Sequence, residues 1–171
     1  MALSIGDLSL RTVNFVFLVI ILGLSGSLAA TADNNNPQVN FVVFAAAWGL
    51  LTSTFYGIAA YFISALAWPI LLATFDFLNF VFLFSGATAL AVAIRTHSCS
   101  NQSYLDSNGV TQGSSDRCRK AQATVAFSYF SFFVFTAALF FSVLAVFKNG
   151  LFGSSISRGT PRTGVPTMSQ V

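Results

Sequence analysis

Apolar residues run almost without interruption from Phe41 to Ile94, and Asp76 is the one charged residue in that block. A helix crosses the bilayer core with about 20 apolar residues, so the block holds two spans joined back to back. Val13 to Ala30 and Ala121 to Phe147 carry no charge and are also of spanning length. The pattern predicts an all-α bundle of four transmembrane helices over about 12–30, 41–64, 69–94 and 121–147. Polar segments punctuate it. Thr31 to Asn40 contains Asn-Asn-Asn-Pro, a turn signal. The break between the second and third spans falls around Ala65 to Pro69, because Pro suits the first turn of a helix and disfavours helix in the residue before it. Trp68 then becomes an interface anchor, since Trp is enriched at the membrane–water boundary. Met1 to Arg11 is mildly amphipathic and is expected to lie at the interface before the first span. From Lys148 the chain turns to Gly, Ser, Thr, Pro and Arg, a composition expected to be disordered.

One competing reading concerns the start. Arg11, an apolar run and Ala30-Thr31-Ala32 resemble a signal peptide with its cleavage site. The run is longer than the usual signal core of about 7–15 residues, which favours a span.

Composition narrows the function. Charged residues are 8% of the chain and hydrophobic ones 55%, and all five acids are Asp. Four spans in 171 residues leave no room for a soluble catalytic module. The net charge of +3 forms no run dense enough for nucleic acid. Twenty Phe residues are an unusual share; eight lie in the last span and five in the third, distributed around each helix rather than in one stripe. Most of them are expected to face lipid.

Charge does not orient the chain. Arg11, Lys148, Arg158 and Arg162 lie on the side of the termini, and Arg95, Arg117, Arg119 and Lys120 on the other. The positive-inside rule is therefore balanced. The two cysteines break the tie. Cys99 and Cys118 share one polar loop, and disulfides persist in oxidising compartments. Closing such a loop contributes about 3 kcal/mol in the chain-entropy model. Asn101-Gln102-Ser103 in the same loop is a glycosylation sequon. The segment 95–120 is thus expected outside, with both termini cytosolic.

Asp76 is the sharpest single residue, because an ionisable group within a span is costly and marks function by default. Asn79 lies three residues on and shares its helix face. The pair is a candidate for binding a proton, a lipid or another helix. No other span supplies Asp76 with a charged partner in this reading, and a headgroup-level structural role competes with it. Small residues (Gly23, Gly26, Ala45, Ala46, Gly49, Gly86, Ala89 and Ala93) suit close helix packing and self-association. The chain offers no catalytic constellation, no metal cluster and no cofactor motif, His97 being its single histidine. Ser169-Gln170-Val171 fits a carboxyl-terminal peptide ligand, on a match of only three residues.

Several short motifs stand together in one order. They are Trp68-Pro69, Phe75-Asp-Phe-Leu-Asn-Phe-Val-Phe82, His97-Ser-Cys99, Ser103-Tyr104, Asp106-Ser-Asn108, Thr111-Gln-Gly113, Arg117-Cys-Arg119, Ala121-Gln-Ala123, Gly164-Val-Pro-Thr and Ser-Gln-Val171. The set resembles the fungal non-classical export protein 2 family, which are MARVEL-domain tetraspan proteins of the plasma membrane. The resemblance covers nearly the whole chain. It implies a four-span MARVEL domain over 1–147 and a cytosolic tail over 148–171. It also implies a role in organising eisosomes, a response to sphingolipid level and a part in exporting proteins without signal sequences. Implied partners are membrane lipids, sphingolipid or sterol, other copies of the chain and eisosome proteins. The family's tail carries a denser basic cluster than Arg158 and Arg162 provide. The alternative function is a small transporter or channel in which Asp76 is the coupling group.

Overall fold

The computed structural model describes residues 5–63, 66, 68–95 and 97–150. Every regular element among them is helical: α1 (Ile5–Ala30), α2 (Pro37–Gly49), a π-helical stretch (Leu50–Tyr56), α3 (Gly57–Phe62), α4 (Pro69–Ile94), α5 (Gln102–Ser107) and α6 (Ser115–Asn149). Gly49 and Gly57 keep right-handed helical backbone, so α2, the π stretch and α3 form one rod. Four segments are long and apolar enough to cross a membrane: Gly6–Ala30, Pro37–Ala60, Pro69–Ile94 and Ser115–Lys148. The protein is an all-α, multi-pass membrane protein of four spans.

Local chemistry sets the helix starts. Pro37 and Pro69 occupy first-turn positions, where the missing N–H costs nothing. Trp68 precedes α4 in extended conformation, and its carbonyl accepts the N–H groups of Leu71 (3.1 Å) and Leu72 (3.2 Å). Ser114 caps α6 through its hydroxyl, which accepts the Arg117 N–H at 3.4 Å, and Asp116 complements the helix dipole.

Boundaries differ from the sequence expectation in four places. The segment before the first span is not a separate interfacial piece from Ile5 onward, because α1 already runs there. The second span begins at Pro37 rather than residue 41. The last span begins at Ser115 and continues through Lys148 to Asn149, so its first turns belong to the polar loop. The loop itself is not wholly irregular, since Asn101 caps the short helix α5. Ser64, Ala65 and Ala67, near the break between spans, and 151–171, with Arg158, Arg162 and Ser169-Gln170-Val171, lie outside the described residues.

The four long elements form a closed ring in which α1 meets the α2 rod, that rod meets α4, α4 meets α6, and α6 returns to α1. Leu18, Ile21, Val42, Leu83, Leu90 and Phe135 fill the centre. Phe135 is fully buried, whereas Phe55, Phe77, Phe130, Phe133 and Phe140 are exposed on the outside of the bundle. In lipid an exposed aromatic ring carries no penalty, so the ring of Phe side chains is the outer surface of the bundle.

The small residues divide into two groups. A Cβ on Gly49 would lie 3.0 Å from Leu18, and one on Gly86 would lie 3.3 Å from Val42, so both hold close helix crossings. Gly23 and Gly26 have nothing within 4 Å. Gly86→Val is therefore expected to destabilise the bundle by about 1–3 kcal/mol through overpacking. Gly23→Val carries the same change in helix propensity without the clash. Thermal unfolding of both variants in detergent checks this; equal shifts would contradict the packing assignment.

Candidate functional site

Asp76 sits seven residues into α4, about 10 Å along its axis, and its side chain is completely buried. It does have a charged partner. Arg11 of α1 points a fork at it: Nη1 donates to Oδ1 at 3.4 Å and Nη2 to Oδ2 at 3.2 Å. The expectation that no span supplies a counter-charge is overturned, because α1 begins early enough to carry Arg11 into the bundle. Arg11 Nε also donates to Asp7 Oδ2, one helical turn earlier, at 2.9 Å. Its Nη1 reaches the Ser53 carbonyl in the π stretch at 3.5 Å. Ser142 of α6 donates its hydroxyl to Asp76 Oδ2 at 2.5 Å. The cluster thus draws groups from α1, the π stretch, α4 and α6. Arg11 is 3% exposed and Asp7 4%, so both charges are sealed with Asp76 inside the protein.

Two backbone features make room for the guanidinium. The π stretch widens the second rod, a device common at functional positions. Gly57 follows it, and a Cβ there would lie 3.0 Å from Arg11 Cδ and Nη1. Asn79, one turn beyond Asp76, donates from Nδ2 to Thr52 Oγ1 at 2.8 Å, and Thr52 donates to the Trp48 carbonyl at 2.8 Å. Further along, Ser131 of α6 donates to Asn14 Oδ1 of α1 at 2.5 Å. A column of polar contacts therefore runs inside the bundle from the end bearing the termini. Asp76 and Asn79 share a face, and that face points inward, away from surrounding lipid.

The opposite end is held by the polar loop. Cys99 and Cys118 form a disulfide, with Cα atoms 5.6 Å apart. Arg117 donates from Nε to the Val110 carbonyl at 3.1 Å and from Nη1 to Thr31 Oγ1 at 2.5 Å. Asn36 donates to the Gly109 carbonyl at 2.7 Å. These contacts dock the loop onto the α1–α2 turn. The Tyr104 hydroxyl donates to the Ile94 carbonyl at the end of α4. Burial raises the Tyr104 phenol above its ordinary value, and the nearby Arg95 charge partly offsets that. Asn101 is exposed, and its Oδ1 accepts the Tyr104 N–H at 3.4 Å. Trp68 is 46% exposed at the terminus end of α4. Among the described residues, no three His, Cys, Asp or Glu side chains gather where a metal ion would bind.

The membrane-associating domain family, MARVEL, matches residues 4–141. Over 99% of both chains, the protein is 66% identical to non-classical export protein 102 of Candida albicans and 53% identical to non-classical export protein 2 of Saccharomyces cerevisiae. A non-classical export protein 2 homolog of Schizosaccharomyces pombe is 35% identical over 75% of this chain and 71% of its own. The chain belongs to the non-classical export protein 2 family of MARVEL-domain proteins. No solved structure matches it.

In this MARVEL-domain protein the residues that sequence reasoning missed are Arg11, Asp7, Ser53, Gly57 and Ser142. A signal was present for two of them, since Asp7 and Arg11 stand at the i, i+4 spacing of a helical ion pair. The serines and the glycine carry no such mark.

Removing one partner of a buried pair strands the other, at about 3–5 kcal/mol. Arg11→Met is expected to cost that much, whereas Arg11→Met combined with Asp76→Leu and Asp7→Leu recovers a large part of it. Denaturation in mixed micelles measures both, and additive losses would exclude the coupling. Cys118→Ser, or reduction, is expected to remove about 3 kcal/mol and to release the loop, read as faster amide exchange over 97–120.

Proposed function

We propose that this protein organises plasma-membrane domains of the eisosome type by lateral lipid contact and self-association, and that it responds to sphingolipid level. In this reading 1–147 is the membrane domain, the disulfide loop is extracellular and both termini are cytosolic. The disulfide between Cys99 and Cys118 supports that orientation, because such bonds persist in oxidising compartments. Its partners are sphingolipid or sterol, further copies of the chain and eisosome proteins. A part in exporting proteins that lack signal sequences is drawn from the names of its relatives.

The observation that carries the proposal is the division between the inside and the outside of the bundle. Inside, the charges are committed to one another: Arg11 is shared by Asp7 and Asp76, and Ser142 completes Asp76. Outside, the four spans present Phe side chains in every direction. That arrangement suits a body that sorts its lipid surroundings. It suits a transporter less well, because a coupling group must exchange partners and Asp76 is enclosed by three elements. No enzymatic step is proposed.

Deleting the gene in its own host is expected to disperse the eisosome pattern and to blunt its change when sphingolipid synthesis is blocked. Fluorescence imaging of an eisosome marker reads both. An unchanged pattern together with an unchanged response would refute the proposal. Flux measured in liposomes, abolished by Asp76→Asn in a folded protein, would instead establish transport.

A further inference from the structure

A cavity of about 520 Å³ opens at the loop end of α4, lined in part by Arg95, His97, Asn101, Ser103, Tyr104 and Ser107. We propose that it binds the anionic phosphodiester headgroup of a membrane lipid, with Arg95 as the cation and the acyl chains lying along α4. The proposal concerns a site separate from the buried charged cluster and does not rest on the organiser reading.

Position comes first. Arg95 directly follows Ile94, the last residue of a membrane-spanning helix, and Ala93 lies in the cavity wall. The cavity therefore sits where a span gives way to water, at the depth of lipid phosphates. A soluble-facing pocket elsewhere in the loop would lack that placement.

Charge comes second. Among the described residues no carboxylate lines the cavity. Arg95 has no ion-pair partner among them, unlike Arg11, which is paired with two Asp residues, and Lys120, which is paired with Asp116. The guanidinium is a planar fork suited to two phosphate oxygens. Arg95 also adopts left-handed backbone, with φ 49° and ψ 20°, at a position where Gly is the common choice. The remaining polar groups suit the rest of a headgroup. The His97 ring packs against Tyr104 at a tilt of 46° with ring centroids 4.9 Å apart, and Ser103 and Asn101 stand exposed beside it.

The outer surface of α4 comes third. Phe77, Phe84 and Val92 are 51%, 47% and 70% exposed. At 3.6 residues per turn, Phe77 and Phe84 lie on the same line of α4 as Arg95, and Val92 lies beside it. The outside of the span is thus largely apolar, with Thr74, Ser85 and Thr88 set among Phe77, Phe84 and Val92, and it ends at Arg95. An acyl chain below and an anionic phosphate above match both parts, which a free phosphate does not.

The test is native mass spectrometry of the intact protein in detergent, titrated with phosphatidylglycerol and, separately, with phosphatidylcholine. The wild type is expected to hold phosphatidylglycerol about tenfold more tightly, the scale of one charge-assisted contact. Arg95→Asn removes the cation with a residue that tolerates left-handed backbone, and should abolish the preference. Arg119→Gln removes an exposed charge at the same end of the bundle and should keep it. An unchanged melting temperature without lipid establishes that each variant is folded, and His97→Asn, expected to weaken the preference, serves if Arg95→Asn is not. No preference in the wild type, or equal losses in Arg95→Asn and Arg119→Gln, would overturn the proposal. Displacement of phosphatidylglycerol by millimolar inorganic phosphate would overturn its lipid form and assign the cavity to a soluble anion.

Discussion

The bundle depends on sharing one guanidinium between two carboxylates inside a membrane protein. Arg11 is fixed by Asp7 on its own helix and by Asp76 on α4, and it touches the π stretch as well. A lone charge at such a place is prohibitive, yet three charges with mutual hydrogen bonds are tolerable. The geometry follows from that requirement. α1 must extend to Ile5 to carry both Asp7 and Arg11, the second rod must widen at Leu50–Tyr56, and Gly57 must have no side chain. Ser142 brings α6 into the same cluster. One polar demand thereby sets the relative placement of four elements that would otherwise slide over one another on apolar faces.

The two ends of the molecule solve different problems. Near the termini, order comes from ion pairing in a dry interior. At the loop end, it comes from a covalent link and from hydrogen bonds to main-chain carbonyls. Arg117 is the counterpart of Arg11 there, but its partners are the Val110 carbonyl and the Thr31 hydroxyl rather than carboxylates. A guanidinium held by neutral acceptors remains cationic toward its surroundings. The loop end therefore keeps its positive character, and the charged cluster at the other end carries one more carboxylate than guanidinium.

The four spans were legible because apolar runs of spanning length report directly on a bilayer, and Pro69 marks a helix start, whereas Pro37, read as part of a turn, also begins one. The importance of Asp76 was legible from its isolation in an apolar block. Its partner was not, since Arg11 sits beside a charge-free run and reads as a flanking interfacial charge. Pairing across 65 residues leaves no local trace. The π stretch has none either, as Leu-Leu-Thr-Ser-Thr-Phe-Tyr fits an ordinary helix. The start of α6 was misplaced because hydropathy responds to Arg117, Arg119 and Lys120, whereas backbone capping responds to Ser114 and Asp116. Glycines that look alike in sequence differ in role for the same reason: Gly49 and Gly86 face neighbours, and Gly23 and Gly26 do not.

α6 has 35 residues and is about 52 Å long, against a hydrocarbon thickness of about 30 Å. Its charged first turns belong to the loop, and the charge-free run 121–147 is about 40 Å long, close to the roughly 39 Å of α1 and α4, so the spans together exceed the hydrocarbon layer. The surplus is absorbed by tilting, by emergence of its ends among headgroups, or by stretching the adjacent leaflets. Each of these costs less in a thick bilayer than in a thin one. The spans together are therefore a ruler, and the molecule is energetically matched to the thicker regions of whatever membrane contains it.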